Sequence, residues 1–402
     1  MKLLILRLFL ILCCGLVLCE HPRFLRKEAY ETVPELITSA GYPVEKHRVA
    51  TDDGYIIQMH RIPAGRRTAR KAGFSAKGKK AILVVHGLLG SSGDFVIMGP
   101  ERSLAYLLAD EGYDVWLGNL RGTVYSSHVN YTRRNPKFWE FSFHEHGVYD
   151  VPAMIDKVLN VTSLPKVMYV GYSMGTTSFF VTMSERPEYN DKIISFVALA
   201  PAVYLSNIKL LAITVLKTLE LPARMRSQGM ISLTLRSDLL DLLIRNICFQ
   251  NKPEDDICMR LVYMVVGEDL EQYDKELTSV ILYRAQPVSW RQLEHFGKVA
   301  ITGVFTSWED GLWGAVKPYN LSNVKVPVAL LYGKNDHLTD KSQIMRLAVK
   351  LNETGMLETV RPACDWEKFN HLDFVFARQV GTLLTKPLVD YIKTLFSKYG
   401  PP

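Results

Sequence analysis

The sequence predicts an α/β core, a mostly parallel sheet wound with helices and interrupted once by a helical insertion. Three observations lead there. Short, largely apolar runs recur, each closed by small or turn-forming residues: Ala81–Val85 before His86-Gly87, Tyr113–Leu117 before Gly118-Asn119, Val167–Val170 before Gly171, Ile194–Leu199 before Ala200-Pro201, and Val328–Tyr332 before Gly333. Such runs suit strands buried on both faces, as in a parallel sheet. Helical patterns lie between them, for example Ser103–Glu111 and Pro152–Leu159. Strands alternating with helices imply a wound sheet. The alternation then breaks from about 204 to 320, where helical patterns follow one another with no convincing buried strand, and resumes to the C-terminus. The expected organisation is a leader over 1–19, a first core segment over 20–203, a helical cap over 204–320 and a second core segment over 321–402.

At 402 residues, 48% hydrophobic and 22% charged, the chain is not disordered. It has no uninterrupted run of 18 apolar residues, which excludes a polytopic membrane protein. The formal charge of +7 is mild and scattered, so pairs such as Arg66-Arg67 and Lys79-Lys80 read as solvated loop rather than a nucleic-acid surface.

The start reads as an export signal: Lys2 and Arg7, the short apolar run Leu8–Leu18, and cleavage after Cys19. The run is about half the ~20 residues a membrane span needs. Losing Lys2 and Arg7 takes the formal charge from +7 to +5. Asn130, Asn160, Asn320 and Asn352 each open an Asn-x-Ser/Thr acceptor, and each is expected at the surface. Of six cysteines, three leave with the leader; Cys248 and Cys258 are the nearest remaining pair and the expected disulfide, leaving Cys364 unpaired. Their spacing is not that of a zinc site, and no metal is expected.

Early in the chain, Val44–Arg61 alternates about the turn Asp52-Asp53-Gly54 and predicts a β-hairpin. Ala64–Lys80 is basic, glycine-bearing and aperiodic, an expected exposed loop. In the insertion, Leu235, Leu239 and Leu242, widened by Leu240, Leu243 and Ile244, form an apolar stripe opposite Arg236, Asp238, Asp241 and Arg245. The stripe predicts an amphipathic helix, either ordinary core or a lid, with Ile208–Leu219 the alternative lid segment.

Gly171-Tyr172-Ser173-Met174-Gly175 is a G-x-S-x-G motif between an apolar strand and the helical stretch Thr176–Glu185. A sharp strand-to-helix turn there presents the Ser173 hydroxyl at the sheet edge, with both glycines required where backbone crowds it. A serine needs a base to take its proton. Downstream lie only His295, His337 and His371. His295 is in the insertion and His337 directly follows the candidate acid, so His371 is the expected base. The acid should end the penultimate strand. Asp336 does, ahead of Asp340 and Asp365 as rivals; Asp373 follows His371 too closely. Its task is to hold the imidazole tautomer and stabilise the imidazolium. Two backbone N–H groups, of Met174 and Leu88, are the expected oxyanion donors, with His86 bracing the loop His86-Gly87-Leu88-Leu89-Gly90.

Over nearly the whole mature chain the sequence resembles the acid lipases, the family of gastric and lysosomal acid lipase. The resemblance rests on Gly41-Tyr42-Pro43 with Thr51-Asp52-Asp53-Gly54-Tyr55, on His86–Ser92, on Gly118-Asn119-Leu120-Arg121-Gly122 with Tyr125-Ser126, on Phe138–Ser142 with Tyr149-Asp150-Val151-Pro152-Ala153, and on Asn370-His371-Leu372-Asp373-Phe374. It implies an α/β-hydrolase fold with a cap and mobile lid, and hydrolysis of triacylglycerols or cholesteryl esters without a cofactor. The family's nucleophile motif commonly reads Gly-His-Ser-Gln-Gly; here Tyr172 and Met174 replace the polar pair, and His337 replaces the usual tryptophan after the acid. The expected function is therefore an exported or lysosomal lipase acting at a lipid–water interface, with oligomeric state open. The alternatives are a soluble short-chain esterase or exopeptidase, and a non-catalytic lipid carrier.

Overall fold

In the computed structural model, residues 26–70, 75–205, 229, 232–234, 257–309 and 311–401 are described. The leader, Cys248, the leucine stripe at 235–244 and the segment 208–219 lie outside them, and so does the side chain of Cys258.

Eleven strands are described: β1 (Glu45–Ala50), β2 (Tyr55–Ile62), β3 (Ala81–Val85), β4 (Asp114–Gly118), β5 (Ser126–His128), β6 (Val167–Tyr172), β7 (Ile193–Leu199), β8 (Ser232–Leu233), β9 (Val288–Ser289), β10 (Val328–Tyr332) and β11 (Leu357–Pro362). Nine form one sheet in the order β1-β2-β4-β3-β6-β7-β10-β11, with β5 beside β2. From β4 to β11 every neighbouring pair is parallel; β1, β2 and β5 add an antiparallel edge. The hairpin pairs Glu45 with Arg61 and Ala50 with Ile56, as its alternation predicts.

The main helices are α1 (Val33–Ser39), α2 (Leu104–Asp110), α3 (Val151–Thr162), α4 (Met174–Glu185), α5 (Ile257–Val266), α6 (Lys275–Tyr283), α7 (Trp290–Thr302), α8 (Lys341–Glu353) and α9 (Lys386–Tyr399). They cover both faces of the sheet, which is why its central strands are continuous apolar runs. On β3, Ile82 and Val84 join the core under α1, α2 and α9. Ala81, Leu83 and Val85 join the core under α3, α4 and α8. The same alternation of faces runs through β6 and β10, because successive strand side chains point to opposite sides.

Two local expectations change. Ala64–Lys80 is not wholly an exposed loop: Ala64 is fully buried and Arg66–Ala69 forms a helical turn. The insertion between β7 and β10 contains the two-stranded pair β8–β9 as well as helices α5, α6 and α7. Its last part is continuous with the main core, since Val299, Ala300, Phe305 and Tyr319 share a cluster with the sheet residues Leu330 and Phe196.

Three of the sequence motifs meet in one buried ion cluster. Arg121 of the Gly-Asn-Leu-Arg-Gly segment donates Nε to Asp150 Oδ1 at 2.9 Å and Nη2 to Asp53 Oδ1 at 2.9 Å. Its backbone N–H reaches Asp150 Oδ2 at 2.9 Å, and its guanidinium lies over the Tyr55 ring at 4.0 Å. Burial disfavours the charged guanidinium, but the Asp150 and Asp53 carboxylates outweigh it and hold Arg121 above its ordinary pKa. The cluster ties the hairpin turn to the loop after β4 and the start of α3. Arg121→Met would strand two carboxylates without their cation. It is expected to cost about 3–5 kcal/mol, read as a fall in the denaturant midpoint at unchanged slope.

Candidate active site

The C-terminal ends of β6, β10 and the loop beyond β11 converge at one edge of the sheet. Ser173 is the single residue between β6 and α4, at φ 50° and ψ −116°. A non-glycine residue rarely sits at such an angle, and the strain turns its side chain away from the sheet. The turn is held by the Ser173 N–H on Leu199 O at 2.9 Å and the Thr176 N–H on Ser173 O at 2.9 Å. Both glycines are sterically required. A Cβ on Gly171 would come within 2.9 Å of the Gly175 carbonyl carbon. A Cβ on Gly175 would lie 2.3 Å from Val85 O, so α4 rests directly on the backbone of β3.

His371 bridges the site. Its Nε2 lies 2.9 Å from Ser173 Oγ and its Nδ1 lies 2.8 Å from Asp336 Oδ2. All three residues are buried, with relative exposures of 6%, 4% and 3% for Ser173, His371 and Asp336. Asp336 also accepts the Leu338 and Thr339 N–H groups on Oδ1, each at 2.8 Å, and the Thr339 hydroxyl on Oδ2 at 2.7 Å. Burial alone would raise its pKa. The His371 charge and the His371 and Thr339 hydrogen bonds outweigh that, holding the carboxyl below the ordinary range and ionised. The fixed geometry is donor Ser173, ring His371, carboxylate Asp336.

The rival residues are engaged elsewhere. His295 sets Nδ1 on Ser142 Oγ at 2.9 Å and Nε2 on Thr306 O at 2.8 Å, and burial pushes it down to about 3. Asp340 caps α8 by accepting the Ser342 N–H at 2.8 Å. Asp365 is exposed. Asp373 accepts the Asn370 N–H at 2.7 Å. His337 sets its N–H 3.5 Å from Val266 O, and its Nδ1 is buried with no hydrogen-bond partner among the described residues.

Met174 is the first residue of α4, so no carbonyl within the helix reaches its N–H. Leu88 lies in the turn Gly87–Gly90, closed by a Gly90 N–H to Gly87 O bond of 3.2 Å. A Cβ on Gly87 would come 3.0 Å from Ser173 Cβ, which places that turn against the nucleophile. His86 fixes the turn as expected of a brace: Nδ1 faces Gly87 O at 2.8 Å and Nε2 accepts the Leu120 N–H at 3.1 Å. Burial pushes its imidazole down to about 4, so it stays neutral. The four acceptor asparagines are all exposed, and Cys364 is a free, half-buried thiol that burial pushes up to about 11. Among the described residues no group of three His, Cys, Asp or Glu could hold a metal ion, and no helix is long and apolar enough to cross a membrane.

The alpha/beta hydrolase fold family matches residues 80–371, and a partial alpha/beta-hydrolase lipase region matches 33–99. Lipase 3 of Drosophila melanogaster is 39% identical, the alignment covering 91% of this chain and 92% of that protein. Gastric triacylglycerol lipase of Bos taurus is 32% identical over 87% and 88%. This chain belongs to the acid lipase family of α/β-hydrolases. It is a carboxylic ester hydrolase. A solved structure from Acinetobacter baumannii is alike in fold alone, with TM-score 0.50 at 13% identity over 94% of this chain and 100% of that one.

Two side chains of this acid lipase support the site in ways that its motifs do not announce. The Tyr172 hydroxyl, at the position where the family commonly carries histidine, donates to His371 O at 2.9 Å and ties the nucleophile strand to the base loop. Thr339 completes an Asp-x-x-Thr turn, a local signal that does not itself distinguish a catalytic carboxylate from any loop aspartate. Thr339→Val removes about 1.5–3 kcal/mol of preference for the ionised carboxylate, which raises the Asp336 pKa by roughly one to two units. The carboxyl still stays ionised at neutral pH, so kcat/KM should match wild type there, and Thr339→Val should fall below wild type only under acid conditions, where Asp336 begins to take a proton.

Proposed function

We propose that the protein is a lipase that hydrolyses carboxylic esters of neutral lipids, triacylglycerols and also steryl esters, by an acyl-enzyme route. The observation that carries this is the unbroken line Ser173 Oγ, His371 and Asp336, with contacts of 2.9 and 2.8 Å. The name of the Bos taurus relative, a triacylglycerol lipase, supports the substrate class.

In this reading Ser173 Oγ attacks the ester carbonyl while His371 Nε2 takes its proton. Asp336 orients the ring and stabilises the imidazolium without itself being protonated. The N–H groups of Leu88 and Met174 face the negative charge that develops on the carbonyl oxygen. His371 returns the proton to the departing alcohol, and a water, deprotonated by the same ring, then releases the fatty acid. No step needs a cofactor. The insertion over 204–320 acts as the cap that keeps water from the acyl-enzyme, and the chain is exported, its leader removed after Cys19. The four exposed acceptor asparagines support export. A Cys248–Cys258 disulfide would belong to the same oxidising setting.

Ser173→Ala should fold normally and lose on the order of 10⁶ in kcat, and His371→Ala should lose about as much, with the double variant little worse, because these residues act as a unit. Hydrolysis of emulsified triolein, cholesteryl oleate and a short soluble ester tests both parts of the reading. Retained turnover in either single variant would overturn the triad. Turnover of the soluble ester alone would make the protein a short-chain esterase, and an inert wild type a lipid carrier.

A further inference from the structure

The short segment 266–272, which starts at the last residue of α5, touches the loops that carry Asp336 and His371. Val266 O accepts the His371 N–H at 3.2 Å and lies 3.5 Å from the His337 N–H. Gly267 O accepts Asn370 Nδ2 at 3.0 Å, and Glu268 O accepts Asn335 Nδ2 at 2.8 Å. Gly267 is at φ 98°, and a Cβ there would fall 1.9 Å from Asn335 O, so only glycine permits this approach. Further along, Gln272 O and Oε1 accept the Arg378 and Gln379 N–H groups at 2.8 and 3.0 Å.

In the middle of this strap Asp269, 1% exposed, meets Asp373, 5% exposed, in side-chain hydrogen-bonding contact. Two buried carboxylates cannot both ionise at such a distance, so one of them keeps a proton. The surroundings say which. Asp269 accepts Trp366 Nε1 on Oδ2 at 2.6 Å and is approached by the Gln272 N–H at 3.4 Å on Oδ1, donors that suit an ionised acceptor. Asp373 accepts one N–H, from Asn370, on Oδ2, which leaves its other oxygen to bear the proton.

We propose that Asp373, as the proton donor to Asp269, is a positioning residue for the base: their shared proton fastens the 266–272 strap to the His371 loop, and its loss loosens the triad. The proposal rests on the lipase reading for its catalytic consequence, and for the bond on the burial of both carboxylates and the placement of their separate N–H donors. The direction of titration agrees. Burial and the Asp269 and Asp336 charges push Asp373 up to about 8, against the pull of the Asn370 N–H. The other titratable groups facing the pair are Tyr263 of α5, Glu268 in the strap, Cys364 before Trp366, and Tyr172 at the end of β6. Glu271 beside them is neutralised by Lys368 at 2.8 Å. Asp94, which burial pushes up to about 7, shares Tyr172 with Asp373 as a neighbour.

The sign of the stability effect follows. The folded chain keeps a proton on Asp373 that the unfolded chain, with an ordinary carboxylate near ~3.9, has released. Wild type therefore loses stability relative to Asp373→Asn from about pH 4 to about 8, by up to about tenfold in the unfolding constant per pH unit, and no further above that. The amide of Asp373→Asn can donate to Asp269 at every pH and still accept the Asn370 N–H. Asp269→Asn puts an amide where Trp366, Gln272 and Asp373 all need an acceptor.

The test compares wild type, Asp373→Asn and Asp269→Asn from pH 4 to 9 in two ways: thermal unfolding, and the rate of fluorophosphonate labelling at Ser173. Asp373→Asn should gain on wild type in both as pH rises, keeping a labelling rate about tenfold above wild type at pH 9, whereas Asp269→Asn should be weaker than wild type throughout. Asp94 is present in all three proteins, so its titration cancels in the ratios. Parallel pH profiles for wild type and Asp373→Asn, or failure of Asp373→Asn to fold, would overturn the proposal. A wild type that never labels, with the unfolding data as expected, would instead overturn the lipase reading and leave the shared proton standing.

Discussion

The close approach of α4 to β3 is the constraint on which the site depends. Gly175 lies so near Val85 O that no side chain fits between them, and Ser173 is forced to φ 50° to let the helix begin there. That strain is affordable only because the surrounding sheet over-determines it, with β6 held between β3 and β7 by parallel pairing along its length. The consequence is chemical. The hydroxyl stands clear of the sheet, the Met174 N–H that follows it has no helical acceptor, and the Gly87 turn can touch the nucleophile directly.

Around that fixed point the other two members of the Ser173–His371–Asp336 line are placed by separate parts of the chain. Asp336 is locked by the Leu338 and Thr339 N–H groups and the Thr339 hydroxyl, so its orientation does not depend on His371. His371 is the less constrained partner. Its ring is held by Ser173 and Asp336, and its main chain by Tyr172 and Val266. The substitution of tyrosine at 172 thus has a structural use: its hydroxyl spans from the nucleophile strand to the base loop. Burial holds that phenol well above its ordinary pKa, so it remains a donor.

Much of this was legible in the sequence for a simple reason. A strand buried on both faces is mostly apolar, so β3, β4, β6, β7 and β10 announced themselves despite Asp114 in β4 and Ser195 in β7, and a strained serine turn needs glycines in fixed places. The edge strands were harder. All six residues of β11 are half-buried and include Glu358 and Arg361, so no continuous apolar run marks it. β5 is three residues long with only Ser126 buried. The motifs carried by Asp53, Arg121 and Asp150 were visible as patterns, but their meeting in one ion cluster depends on long-range folding that spacing alone does not encode. The same holds for Asp269, an unremarkable acid in the insertion until the fold brings it to Asp373.

The insertion is consequently more than a cover laid over a finished site. Its 266–272 strap supplies three carbonyl groups to the acid and base loops, and those loops have donors, the His371 N–H and the Asn335 and Asn370 amides, aimed at them. The His371 N–H and the Asn370 amide are buried, and buried donors left unpaired each cost about 1–3 kcal/mol, so a strap that moved away as a rigid body would disorganise the His371 loop. The strap, together with the part of α7 built into the main core, therefore belongs to the scaffold that carries Asp336 and His371.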